Sequence, residues 1–261
     1  AVQIAATLIS GAAAFCMLLL AAYVVLDALY PLPTGKLFPP ASTTVLDKRG
    51  RLLRAWTTPD GKWRIRRRLN EISPHLRRLL VAYEDRWFYS HPGVNPLALL
   101  RALKQNISEG RVVSGASTIS MQTARMMEDR PRRLSSKLIE LFRAVQLERR
   151  YSKDEILEIY LNLAPYGGNI EGAGAAALLY FGRDARELTP GQAALLAAIP
   201  NSPTRNRPDR HPQAAAAARE RLLNILLARG AISQAERYRA ASEAVEPGRR
   251  RLPFEAPHAA E

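Results

Sequence analysis

The chain has 261 residues, 47% of them apolar, with 38 Lys and Arg against 24 Asp and Glu, a formal net charge of +14. That length allows one domain of ordinary size with a real core, plus appendages, and the positive excess favours anionic partners such as phosphodiester chains, acidic lipid head groups or small diphosphates. The single cysteine, Cys16, excludes an intramolecular disulfide and a cysteine-based zinc site, and His75, His91, His211 and His258 lack ligand spacing, so no transition-metal site is expected.

From Ala1 to Leu26 no residue is charged. A helix of that length, ~39 Å at ~1.5 Å per residue, crosses a hydrocarbon core of ~30 Å with some tilt. A cleavable secretory signal is the competing reading, but its apolar part normally runs only ~7 to 15 residues. Residues 1–29 are therefore expected to be a transmembrane anchor. Residues 30–72 follow as a spacer, Tyr30 to Ser42 being interrupted by four prolines, and a segment of short strands with turn signals at Arg49-Gly50 and Pro59-Asp60-Gly61. Between Lys48 and Arg78 stand 11 basic residues, against three acidic ones counted from Asp47; they suit either a solvated face or attraction to anionic lipid heads.

From residue 73 the pattern turns helical. Ser73-Pro74 places a cap before a first-turn proline, Ser152 to Glu155 has the form of a capping box, and Thr189 to Gln192 repeats it with Gln. Apolar spacing predicts helices near 74–90, 96–108, 118–128, 133–150, 153–163, 171–180, 190–199, 212–229 and 233–244, and nothing after residue 70 argues strongly for strand. The helical domain is expected over 73–246, with 247–261 beginning a linker toward a further domain.

Three stretches carry groups suited to chemistry. In "EDRWFYSHPG", Glu84 to Gly93, Glu84 falls at the edge of an apolar stripe of Leu80, Tyr83, Trp87 and Phe88, where desolvation raises a carboxyl toward the range of a general base; a surface glutamate paired with a neighbouring arginine is the plainer alternative. In "SGASTISMQTARMM", Ser117, Thr118, Gln122 and Arg125 present hydroxyl, amide and guanidinium groups at a helix start suited to an anion, although a plain capped helix accounts for it too. In "RRLSSKLIELFRAVQLERR", Lys137 and Glu140 share one helical face, which fits a surface pair or a phosphate-binding cation beside a second carboxylate.

These stretches, followed by "EIYLNLAPYGGNIEGAGAAALLYFG" and "QAALLAAIPNSPTRNRPDRHP", resemble in order and spacing the five signature motifs of glycosyltransferase family 51, the peptidoglycan glycosyltransferases, over residues 73 to 215. The resemblance implies a mainly α, lysozyme-like fold at the periplasmic face of a bacterial inner membrane, polymerising lipid II into β-1,4-linked glycan with inversion. It implies Glu84 as general base and Glu140 as second catalytic acid. Asp85, Ser117, Thr118, Gln122, Arg125, Arg132 and Lys137 take the substrate-binding positions. It requires no cofactor, while allowing a divalent cation, Mg or Mn, near Glu140. Its implied partners are lipid II, the growing chain, the membrane and other cell-wall synthesis proteins, not nucleic acid.

The sequence departs from the family pattern at Ser136, where an arginine usually stands, at Met121 in place of Gln, and at Gln192 in place of Glu. The stretch "NPLALLRALK", Asn95 to Lys104, suits a basic amphipathic helix on a membrane or a core helix. Ser-x-x-Lys, the transpeptidase signature, occurs nowhere, so that activity would lie beyond Glu261. A lytic enzyme of the same architecture and a non-enzymatic basic tether are the alternatives; the diphosphate-facing cations argue against the first, and the absence of nucleic-acid motifs against the second.

Overall fold

The computed structural model describes residues 2–95, 108, 117–128, 130–131 and 133–253; the side chains of Val2, residues 4–9, Ala12 and Leu134 are outside that set. The chain divides into two units, Ala1–Gly35 and Lys36–Glu261. The first is helix α1, Val2–Leu29, followed by a short turn at Thr34–Lys36. Among the described residues no helix is long and apolar enough to cross a membrane, although the α1 backbone is helical throughout and meets no charged residue before Asp27.

The second unit opens with two small β structures. Strands β1 (Thr44–Leu46) and β2 (Leu52–Ala55) form an antiparallel hairpin whose turn is closed by the Asp47 carboxylate, which accepts from the Arg49 and Arg51 backbone N–H groups at 2.8 Å each. Gly50, at φ 77°, supplies the left-handed corner that the Arg49-Gly50 signal predicts. Strand β3 (Trp63–Arg64) does not stay with the hairpin. It pairs in parallel with β5 (Ile170–Glu171), which in turn pairs antiparallel with β4 (Pro165–Gly167). Arg64 fixes that junction by ion pairs to Glu171 at 2.5 Å and to Asp60 at 2.7 Å. Strands β4 and β5 correct the expectation that nothing beyond residue 70 is extended. They are only two or three residues long, too short for an alternating pattern to register.

The remainder is mainly helical: α2 (Pro74–Glu84), α3 (Ile119–Met127), α4 (Leu134–Arg150), α5 (Lys153–Leu163), α6 (Ala173–Ala176, widening into a π turn over Ala177–Phe181), α7 (Pro190–Ala198), α8 (Pro212–Ala228) and α9 (Gln234–Ser242). The expected helix 96–108, apart from Ser108, and the membrane-contacting stretch Asn95 to Lys104, apart from Asn95, lie outside the described residues. The central element is α7, apolar on every face, with Ala193, Ala194, Leu195, Leu196, Ala197 and Ala198 all buried among α2, α8 and α9. A second packing centre joins α3 to α4 and α5 through Ile119, Met121, Leu147, Ile156 and Leu157. Met121 is thus a core residue, 1% exposed.

Helix ends follow the sequence at most positions. Ser152 with Glu155 and Thr189 with Gln192 form reciprocal capping boxes, so Gln serves where Glu is usual. Ser73 departs from this. Its side chain makes no capping bond and instead donates to the Leu188 carbonyl at 3.3 Å, leaving Pro74 to start α2. α2 also stops six residues short of the expected 90. Its last carbonyls, on Ala82 and Tyr83, accept from the Arg229 guanidinium at 3.1 and 2.9 Å, and Asp85 turns out of helical geometry at φ −154°.

Candidate functional site

Because α2 ends at Glu84, the carboxylate of that residue sits at a helix terminus and reaches across to other elements. Its Oε2 accepts from Gln122 Nε2 on α3 at 2.8 Å, and its Oε1 accepts from Asn201 Nδ2, in the short turn after α7, also at 2.8 Å. Burial pushes its pKa above the ordinary glutamate value; the two amide donors and the charges of Arg125 and Arg229 pull the other way and do not cancel it. Gln122 is itself held from behind by the buried Tyr160 of α5, whose hydroxyl donates to its Oε1 at 3.3 Å. The hydroxyl's pKa lies well above the ordinary phenol value through burial, with Glu84 and Tyr166 adding to it.

Asp85 faces the interior rather than the Glu84 cleft. It is 7% exposed, its two oxygens lie 3.0 Å from His91 Nε2, and Oδ2 accepts the Ile119 backbone N–H at 3.1 Å. One buried carboxylate thereby ties the end of α2 to the first residue of α3 and to His91. Thr118 adds a second tie: it caps α3 by accepting from Met121 N at 3.1 Å and donates to the Gly93 carbonyl at 2.6 Å. Gly93 has φ 87°, and a Cβ there would meet the Ala144 carbonyl oxygen of α4 at 2.9 Å. Only glycine lets the chain pass so close.

On the other flank of α3, Lys137 donates to Ser117 Oγ and to Glu140 Oε2, the latter at 2.8 Å. The one-turn spacing on α4 thus yields an ion pair extended to a hydroxyl of the preceding loop, with Glu140 largely enclosed and Lys137 about one third exposed. Glu140 and the exposed Arg125 line one small cavity together with Glu128, Arg130 and Arg143. Arg125 therefore joins the two halves: its charge acts on Glu84, and it shares a cavity with Glu140. Ser136 turns inward, 8% exposed, and donates to the Pro131 carbonyl at 2.7 Å, so it anchors the loop before α4. Arg132 lies outside the described residues.

Of the residues singled out from sequence, Glu84, Gln122 and Arg125 gather around one carboxylate, and Ser117, Lys137 and Glu140 around another. Asp85 and Thr118 tie the end of α2, with His91 and Gly93 after it, to the start of α3. Sequence reasoning missed Asn201, Tyr160 and Arg229. Asn201 is 117 positions from Glu84, with only its place in the proline-rich stretch after α7 as a signal. Tyr160 occupies an apolar position of a helical pattern, where its hydroxyl has no signature of its own.

Comparison with known proteins follows the same residues. The family described as Transglycosylase matches residues 49–227. Penicillin-binding protein 1C of Escherichia coli (strain K12) is 41% identical over 95% of this chain and 32% of its own length; penicillin-binding protein 1A of Aquifex aeolicus (strain VF5) is 38% identical over 77% and 28%; penicillin-binding protein 4 of Bacillus subtilis (strain 168) is 36% identical over 68% and 28%. The chain spans about a third of the length of these curated relatives.

Proposed function

The chain belongs to the transglycosylase family, and from that premise we propose that it polymerises lipid II into peptidoglycan glycan strands, with Glu84 as general base. The observation that carries the reading is the state of Glu84: a desolvated carboxylate of raised pKa, oriented by two amide donors and flanked by Arg125. A base so poised accepts a proton at an operating pH where an ordinary glutamate is too weak.

In this mechanism Glu84 takes the proton of the acceptor GlcNAc 4-hydroxyl as that oxygen attacks the anomeric carbon of the donor MurNAc from the face opposite the α-linked diphosphate. The C1–O bond to the diphosphate breaks as the β-1,4 bond forms, and the electron pair leaves with undecaprenyl diphosphate. Lys137 and Arg125 meet the charge that develops on the leaving group, with Ser117 positioning the Lys137 ammonium. Glu140 holds Lys137 in place. An ammonium already occupies the Glu140 carboxylate, which does not suit that residue to a resident divalent cation, and no step here is routed through one. Helix α1, with no charged residue before Asp27, is read as a single-pass anchor in the bacterial inner membrane, holding the second unit on the periplasmic side where lipid II is presented.

Incubating the full chain with labelled lipid II tests the reading. Lengthening glycan supports it, whereas shortening of preformed glycan without polymer would identify a lytic enzyme and overturn it.

A further inference from the structure

We infer that Tyr160 is a positioning residue for the base: by donating to Gln122 it holds in place the amide whose other end donates to Glu84. This inference rests on the role of Glu84 proposed above and extends it to a residue that touches neither carboxylate nor substrate.

Gln122 has one acceptor end and one donor end. With Tyr160 Oη at 3.3 Å from Oε1 and Glu84 Oε2 at 2.8 Å from Nε2, the donor end serves the carboxylate. The ionised carboxylate accepts only, so it sets which end of the amide faces it. The neutral Tyr160 hydroxyl, buried with its ring 1% exposed, gives its proton to the opposite end and holds the amide within reach of Glu84. The groups facing Glu84 come from five places: Tyr83 beside it on α2, Gln122 and Arg125 on α3, Tyr160 on α5, Asn201 after α7, and Arg229 at the end of α8. Among the described residues Gln122 is the amide on Glu84 whose far end a hydroxyl holds.

Removing the Tyr160 hydroxyl leaves the far end of Gln122 unheld, weakens a donor that stabilises the ionised base, and so raises the Glu84 pKa further. A base must be deprotonated to act, so the acidic limb of the rate profile moves to higher pH. The test is Tyr160→Phe in the full chain, which keeps the ring and its packing. We expect kcat on lipid II to fall about tenfold, KM to change little, and the acidic limb of kcat to shift to higher pH. The carboxyl 13C signal of Glu84, identified by its absence in Glu84→Gln, should titrate at higher pH in Tyr160→Phe. In Gln122→Met, adding Tyr160→Phe should cause no further loss.

An unmoved Glu84 titration, or a Tyr160→Phe effect that simply multiplies with that of Gln122→Met, overturns the inference. The carboxyl titration reads the coupling without turnover. If the wild-type chain fails to polymerise lipid II while that titration still shifts, the proposed activity falls and the positioning role stands.

Discussion

At the scale of single residues, Glu84 is a half-buried carboxylate with an amide donor on each oxygen and a pKa raised by burial. What makes the carboxylate unusual is not local. Asn201 and Arg229 arrive from 117 and about 145 positions away, and no periodicity links them to α2. The same holds for Asp85: the resemblance puts it among the substrate-binding positions, and its bonds to His91 and Ile119 N make it an internal strut. The raised Glu84 pKa has a kinetic consequence. Activity should rise with pH through a midpoint above 4.5, the ordinary value for glutamate; a kcat profile whose acidic limb lies at or below that value would contradict the desolvated base.

At the scale of elements, helix starts were written in the sequence because a capping box needs only residues three apart, as at Ser152 and Thr189. The end of α2 was not, since the groups that stop it, Arg229 and the bonds of Asp85, come from elsewhere in the fold. Strands β4 and β5 were hidden for a related reason: their partner β3 lies about a hundred residues earlier, and the stretch between α5 and α6 reads as glycine-rich loop. A glycine inside α6 itself sets a close approach. A Cβ on Gly174 would lie 2.1 Å from the Ile65 carbonyl oxygen, where α6 packs against the chain leaving β3. Backbone cannot step aside as a flexible side chain can, so Gly174→Ala should destabilise the second unit by about 1–3 kcal/mol, as overpacked cores do. Urea unfolding of the two proteins measures it, and an unchanged midpoint would refute the close packing of α6.

At the scale of the whole molecule, part of the basic run after the spacer is taken up in ion pairs. Lys62, Arg64 and Arg67 pair with Glu171, Asp60 and Asp184, so they tie the β segment into the second unit rather than facing lipid. At the candidate site the exposed Arg125 stands beside the Lys137–Glu140 pair. If α1 is the anchor proposed above, the full chain should stay in the membrane pellet through an alkaline carbonate wash, and release into the supernatant would contradict a spanning helix. The central claim is that a single carboxylate, Glu84, drives glycan synthesis, and the most direct measurement compares wild type with Glu84→Gln on labelled lipid II, folding being monitored by circular dichroism. The account predicts glycan polymer from the wild type and none from a folded Glu84→Gln; polymer formed at a comparable rate by that variant would contradict it.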